Sequence, residues 1–184
     1  MISGGVYDEY LVPLTDTTLR MCALQVDMLS SRDLDSRPSK RELAAVGEFL
    51  ESGHVLHIMR DHPYHGVVIL GGAWDTILTL GARHRWQRAW VHILADNMTW
   101  TERGLRGPDQ NILGHVWTAF ESPNNTMQHD SYTCQWYKGS VAWPVKRLIE
   151  PNNFVGAVIA ENMTLDQKCP KECRPLNRED WEYC

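Results

Sequence analysis

The chain has 184 residues, of which 43% are apolar and 22% charged, and this composition predicts one globular domain over residues 1–184 instead of a disordered chain. Its formal net charge of -5 argues against a general nucleic-acid-binding protein, which would present a basic surface. No apolar run approaches the roughly 20 residues that cross a bilayer, and "MISGGVYDEYLV" lacks the basic and apolar regions of a signal peptide.

A strand, a charged turn and a helix are predicted first along the chain. The segment "DTTLRMCALQ" could end a helix, and "VDMLSS" then predicts a short strand that stops at "RDLDSR". The segment "SKRELAAVGEFLESG" predicts a helix with apolar residues at helical spacing. Ser39 can cap its start, Glu42 stands three residues later as in a capping box, and Gly53 can end it.

Further strands and helices follow this first helix. The alternation of "HVLHIMR" predicts a strand, and "GVVILGGAW" predicts a second strand that ends in two glycines. We expect one or two helices, divided at Gly81, in "DTILTLGARHRWQRAWVHILADNM", and a helix that opens at Pro108 in "GPDQNILGHVWTAF". A short strand or loop follows in "TMQHDSYTCQ". This order predicts an α/β fold with its ligand site at the carboxyl ends of the strands.

The last part of the chain predicts an irregular tail over residues 138–184 that disulfides tie down. Pro, Asn and Gly accumulate there, and cysteines occur in "SYTCQWY", in "CPKEC" and at position 184. Disulfides are typical of oxidising compartments. The C-x-x-x-C spacing could also be part of a zinc site, although no paired Cys/His cluster completes it. Because the chain has five cysteines, we expect Cys22 to be unpaired or to pair outside this chain.

Three N-x-[ST] sequons, at Asn97, Asn124 and Asn162, also favour the secretory pathway. The pattern occurs by chance as well, so the sequons could also never meet the glycosylation machinery. Together with the cysteines they predict a luminal protein of the Golgi or endoplasmic reticulum, or a secreted one, although no signal peptide is visible.

The charged turn is the first candidate site. Asp33 and Asp35 are two residues apart, so on an extended segment their carboxylates would point to the same side and could share one divalent ion. Arg32 and Arg37 could add bidentate contacts to a phosphate or carboxylate. The alternative is a solvated turn held by Arg–Asp pairs.

The segment "HIMRDHPYHG" is the second candidate site. It places Arg60, Asp61, His62 and His65 at the end of a predicted strand, where histidines could bind a transition metal. It has no helical His pair with a Glu, so the zinc-hydrolase motif is absent from it. The alternative is a polar loop with a capping Asp.

Three shorter segments could also contribute to a site. Two glycines in "ILGGAW" could let the backbone approach a ligand or could form a bulge. The acidic residue of "GPDQNIL" is also favoured at a helix start, and "HDSY" could be a surface loop.

The order of these motifs adds a resemblance. The segments "SRDLDSRPSKRELAAVGEFLESG", "HIMRDHPYHGVVILGGAW", "GPDQNIL" and "HDSYTC" together resemble a group of uncharacterised glycosyltransferase-like proteins, over about residues 20–140. The series is also similar to retaining GT-A glycosyltransferases of the glycogenin and galactosyltransferase type, which have a D-x-D, a glycine- or asparagine-containing sugar segment, a D-Q helix and a late histidine.

Each motif carries an implied role. The resemblance assigns Asp33, Asp35 and His129 to a site for Mn²⁺ or Mg²⁺. It implies Asp109 and Asp61 as catalytic residues, although retaining enzymes of this type have no agreed nucleophile. The implied donor- and substrate-binding residues are Arg32, Arg37, Arg60, His62, Gly71, Gly72 and Gln110.

The implied activity is transfer of a sugar from a nucleotide-sugar donor to an acceptor that is a glycan, a protein or a lipid. The implied fold is a partial GT-A-like α/β fold with a mixed sheet flanked by helices. GT-A enzymes bind the nucleotide base with an N-terminal half, whereas only 32 residues precede Asp33 here. The resemblance therefore implies a chain shortened at its N-terminus.

Two other functions are compatible with the same residues. One is a catalytically inactive remnant that binds metal or carbohydrate without transferring sugar. The other is a metal-dependent phosphoester hydrolase that uses the histidines around Asp61. For all three we expect no nucleic-acid partner and no transmembrane segment in this chain.

Overall fold

A computed structural model describes residues 26–95 and 108–184 of the chain, with the backbone alone for residues 108–111. The predicted helix end before the first strand, Cys22 and the sequon at Asn97 lie outside the described residues.

A four-stranded mixed sheet forms the centre of the fold. Its strands are β1 (Met28–Arg32), β2 (Leu56–Arg60), β3 (Ala73–Ile77) and β4 (Thr126–Asp130), in the order β1-β3-β2-β4. β3 is antiparallel to β1 and β2, whereas β2 and β4 are parallel. The ends of β1, β2 and β4 therefore lie at the same edge of the sheet as the start of β3. We call this the carboxyl edge.

In the part of the chain that the structure describes, three helices flank the sheet: α1 (Lys40–Ser52), α2 (Leu80–Ala95) and α3 (Pro108–Phe120). The predicted caps of α1 are confirmed, because Ser39 Oγ accepts from the Glu42 amide at 3.0 Å and Gly53 has a left-handed φ of 77°. The Glu42 carboxylate, however, forms an ion pair with Arg32 at the end of β1. The capping residue thus also attaches α1 to the carboxyl edge.

Each face of the sheet is covered by different elements. α2 and α3 pack on one face, and the side chains that fill this layer include Leu56, Ile58, Trp74, Trp86, Val116 and Phe120. The other face, toward α1 and the tail, buries a smaller cluster of Ala45, Met59, Ala73, Trp143 and Val155. Alternate residues of β2 enter opposite layers, as the two-residue period of a strand requires. Each large apolar side chain that is fully buried contributes about 1.5–3 kcal/mol.

The third strand does not lie where the sequence predicted it. The run before the two glycines forms bends, while β3 begins at Ala73, after Gly71 and Gly72, and extends to Ile77 inside a segment predicted as helix. Ile69 is 1% exposed in the core, so that run is buried without joining the ladder. β3 pairs on both sides, and this tertiary pairing overrides the local helical pattern. The glycines therefore open a strand instead of ending one.

The tail over residues 138–184 is largely irregular, with short 3-10 helices at Ile159–Glu161 and Lys171–Cys173 among the described residues. Disulfides join Cys134 to Cys173 and Cys169 to Cys184. The prediction of an α/β fold with a mixed sheet, flanking helices and disulfides is confirmed. Two disulfides fit a secreted or lumenal protein.

The described residues contain no helix that is long and apolar enough to cross a membrane. The sequons at Asn124 and Asn162 are both on exposed residues, as glycan attachment would require.

Candidate functional site

The carboxyl edge brings together predicted site residues that are far apart in sequence. The charged turn follows β1, the "RDHPYH" loop follows β2, the two glycines precede β3, and "HDS" ends β4. Ser31 Oγ donates to the Gly71 carbonyl at 2.7 Å and so joins the end of β1 to the glycine pair. Ligand sites of α/β proteins are found at this end of the strands.

The charged turn is a turn and not an extended segment. The Ser36 amide donates to the Asp33 carbonyl at 3.3 Å, and Leu34 between the two aspartates is fully exposed. The extended backbone that was predicted for Asp33 and Asp35 is therefore wrong. Both aspartates are exposed, and the tail holds the turn because the Ile159 amide donates to the Asp35 carbonyl at 3.0 Å.

Gly72 allows Asp33 to lie directly against the backbone at the carboxyl edge. A Cβ at this position would overlap the carboxylate of Asp33. The predicted role of the glycine pair, a close approach of the backbone, thus applies to a side chain of the same protein. The contact places an exposed carboxylate beside the start of β3.

The two arginines of the charged turn differ in their surroundings. Arg32 is paired with Glu42 and also donates to the Ser36 carbonyl at 3.5 Å. Its guanidinium is therefore committed to the attachment of α1. Arg37 is exposed, so it is the better placed of the two for a contact with an anionic ligand.

Asp61 lies at the centre of a buried network just after β2. Its carboxylate accepts from Arg41 Nε and Nη2, both at 2.9 Å, from Ser131 Oγ at 2.6 Å and from the Val155 amide at 3.1 Å. Arg147 is 3.5 Å away as a second cation. The side chain of Asp61 is 0% exposed. Asp61 therefore holds α1, the end of β4 and the tail in position. Its carboxylate is not accessible to a substrate.

Arg60 belongs to a second buried network on the opposite face of the sheet. Its guanidinium donates to Asp130 Oδ2 at 2.8 Å and to Gln128 Oε1 at 2.5 Å, and it lies 4.0 Å from the ring centre of Tyr137. Burial lowers the pKa of Arg60, and the Asp130 carboxylate opposes that shift. The predicted donor-binding Arg60 is thus 1% exposed and held by its own chain.

His129 forms part of a row of polar side chains across the sheet. Its Nδ1 lies 2.8 Å from His57 Nε2, and its Nε2 lies 3.0 Å from Glu48 Oε2 on α1. His57 continues the row to Asp75 at 2.8 Å. Burial, followed by the positive fields of His57 and Arg41, lowers the pKa of His129 to about 3. Both ring nitrogens are therefore engaged within the protein.

His62 and His65 are held in the neutral form by their hydrogen bonds. His62 Nδ1 accepts from the Tyr64 amide and His65 Nδ1 accepts from the Asp61 amide, each at 3.2 Å. A protonated ring could not accept these bonds. Burial lowers the pKa of His62, and it lowers the pKa of His65 to about 4.

The predicted metal ligands do not come together as a group. Within the part of the chain that the structure describes, no three His, Cys, Asp or Glu side chains are placed to share a metal ion. His129 is 0% exposed beneath α1, while Asp33 and Asp35 are on the exposed turn. Of the other predicted residues, Asp109 and Gln110 lie in the first turn of α3, and their side chains are outside the described residues.

Several residues that build the edge were not predicted from the sequence. Arg41, Ser131 and Arg147 complete the Asp61 network, and Glu48 and His57 complete the row through His129. A sequence signal existed for Arg41. A cation in the first turn of a helix is repelled by the positive end of the helix dipole, so its presence there indicates a tertiary partner.

Comparison with protein-family models, with curated proteins and with solved structures yields no match for this chain. The resemblance to glycosyltransferases therefore depends on the series of motifs alone.

Replacement of Asp61 tests the buried network. Asp61→Asn would leave the Arg41 and Arg147 guanidinium groups without their anion in the interior, and we expect a loss of about 3–5 kcal/mol in the free energy of unfolding. Urea denaturation followed by circular dichroism measures it. Asp35→Asn, on the exposed turn, is the control and should change stability by less than about 0.5 kcal/mol. Equal effects of the two variants would contradict the network.

Acid should destabilise the protein through its buried neutral histidines. Unfolded histidine titrates near pKa 6.5, whereas folded His65 titrates at about 4, so between these values the unfolded chain binds a proton that the folded chain does not. Stability should therefore fall as pH falls through this window. His65→Gln should reduce the slope by up to about 1.4 kcal/mol per pH unit. His84→Gln, at an exposed histidine, is the control. An unaltered slope in His65→Gln would contradict the lowered pKa of His65.

Proposed function

We propose that the protein is glycosyltransferase-like and that its carboxyl edge binds the diphosphate and sugar of a nucleotide sugar. The observation that carries this proposal is the convergence of the charged turn, the "RDHPYH" loop, the glycine pair and the end of β4 on one edge of an α/β sheet. These are the segments whose order resembles GT-A enzymes. The GT-A-like character of the fold is part of the same proposal.

Exposed groups of the edge suit such a ligand. Arg37 supplies a guanidinium that can bind a phosphate through two parallel hydrogen bonds. Gly72 lets the Asp33 carboxylate lie directly against the start of β3, which holds one exposed carboxylate in a defined position for a metal-bound diphosphate. Asp61 is 0% and Arg60 1% exposed, so neither is placed to contact this ligand.

A divalent metal fits this edge only in part. Mg²⁺ is often bound by one or two carboxylates together with substrate phosphates and water, and Asp33 and Asp35 are two exposed carboxylates on one turn. The predicted third ligand, His129, does not fit, because it is buried and both its nitrogens are hydrogen-bonded. A bound Mn²⁺ or Mg²⁺ would neutralise the leaving diphosphate.

Binding without transfer is the second candidate function. The burial of Asp61 and His129 favours it, because both are withdrawn from the surface where a reaction would take place. The hydrolase alternative fits less well, since His62 and His65 accept backbone hydrogen bonds and are held neutral beside a covered Asp61.

Nucleotide binding distinguishes these possibilities. Isothermal titration with UDP and GDP in the presence of Mn²⁺ should detect binding, and Asp33→Asn should weaken it by about tenfold or more because a phosphate-metal contact is lost. Release of free sugar or a glycosylated product from the UDP- or GDP-sugar then separates transfer from binding alone.

Gly72→Ala provides a second variant that keeps the charge. Its Cβ would displace the Asp33 carboxylate, so nucleotide binding should weaken, whereas Gly47→Ala on α1, where a Cβ meets nothing within 4 Å, should leave binding intact. If neither nucleotide binds with metal present, the proposed function is wrong.

A further inference from the structure

A concave groove of ≈ 450 Å³ lies beside β4, and none of the site residues predicted from the sequence lines it. The end of α3, the turn that follows it and the loop over residues 136–139 form its sides. Its volume is within the range of small-molecule sites, about 300–1,000 Å³. The groove belongs to the face of the sheet that α2 and α3 cover, because Gln128 and Thr126 point to that face.

Three aromatic side chains contribute to the lining of this groove. Trp117 on α3, Trp136 and Tyr137 on the loop all contribute to it. Trp136 is 74% exposed, although an indole ring usually contributes stability through burial. Such exposure of the largest aromatic side chain gives the groove a flat surface on which a ligand can stack.

The groove is also lined by an acidic residue, Glu121, whose charge destabilises the neighbouring helix α3. Glu121 directly follows Phe120, the last residue of α3, where the helix dipole is negative, and α3 has no basic residue in its last turn. A carboxylate in this position costs about 0.3–1 kcal/mol. An exposed indole and a misplaced carboxylate therefore meet at one surface, and local conflicts of this kind are expected where a ligand binds.

Arg60 fixes two of the lining side chains from below. It donates to Gln128 Oε1 at 2.5 Å, so the amide turns its N–H groups away from the arginine, and it lies 4.0 Å from the centre of the Tyr137 ring. The Tyr137 hydroxyl donates to the Gly66 carbonyl at 2.8 Å. Asp130 in turn holds Arg60 at 2.8 Å. The groove is thus rigid on this side before any ligand arrives, which reduces the entropic cost of binding.

We propose that this groove binds a saccharide. One face of a pyranose ring carries C–H groups that pack on an indole, and its rim carries hydroxyl groups that both donate and accept hydrogen bonds. Trp136 and Trp117 supply the aromatic faces, exposed Glu121 and Lys138 supply an acceptor and a cation, and buried Gln128 supplies a donor from the strand. This inference goes beyond the proposed function, because it needs neither a metal nor a nucleotide.

An extended peptide fits the groove less well. Peptides that add to a sheet need an unpaired strand edge. The outer edge of β4 is already paired, because the Val141 amide donates to the Gln128 carbonyl at 2.7 Å and the Asp130 amide donates to the Val141 carbonyl at 3.2 Å. Side-chain stacking and hydroxyl contacts therefore match the groove better than backbone pairing.

Trp136→Ala tests the saccharide site. The protein is applied to an array of oligosaccharides with glucose, galactose, mannose and N-acetylhexosamine termini, and to an array of unmodified peptides. The best-bound glycan is then titrated, and we expect binding about tenfold weaker in Trp136→Ala. Trp136→Phe, which keeps an aromatic face, should recover part of the affinity. Because Trp136 is mostly exposed, the variant should fold, and circular dichroism verifies this.

Leu176→Ala, at a 92% exposed apolar residue outside the groove, is the matched control and should bind the glycan like the unaltered protein. The UDP and GDP titrations are repeated on Trp136→Ala and should be unchanged, which separates the groove from the carboxyl edge. The inference fails if no glycan binds, if only peptides bind, or if Trp136→Ala binds as tightly as the unaltered protein.

Discussion

The arrangement of the carboxyl edge depends on the buried carboxylate of Asp61. This one group connects α1 through Arg41, the end of β4 through Ser131 and the tail through Val155 and Arg147. A buried ion pair adds little net stability because desolvation offsets its attraction, but the loss of one partner is costly. We infer that Asp61 selects this arrangement of elements over other compact ones. The charged turn depends on it indirectly, since the tail that carries Val155 also holds Asp35 through Ile159.

The sheet separates two surfaces that suit different chemistry. At the carboxyl edge, Asp33, Asp35 and Arg37 are exposed on the turn after β1, and these charged groups suit a phosphate-bearing ligand with a metal. Beside β4, aromatic rings and hydrogen-bonding groups suit a neutral ligand with hydroxyl groups. The "MRDHP" segment serves both, because Asp61 stabilises the first surface and the preceding residue, Arg60, orients the second.

Local signals in the sequence predicted local structure correctly. They failed where contacts with residues far away in the sequence determine the structure. The caps of α1 were predictable because Ser39 and Gly53 act on their nearest neighbours. The strand at Ala73–Ile77 was not, since its partners on β1 and β2 override its helical pattern. The convergence of motifs followed from α/β topology, but the hydrogen bond from His129 to Glu48 did not, because the two residues are 81 positions apart. For the same reason no pattern indicated that Arg147, 86 positions from Asp61, would contact it.

Hydrogen exchange of the Val155 amide tests the central role of Asp61 most directly. This amide belongs to an irregular segment, and its protection should come from its hydrogen bond to the buried carboxylate. The account predicts that it exchanges as slowly as the amides of β2 and β4, through the same cooperative unfolding. If the Val155 amide exchanges as fast as the exposed amides of the tail, Asp61 does not hold the tail against the sheet, and the account of the carboxyl edge is contradicted.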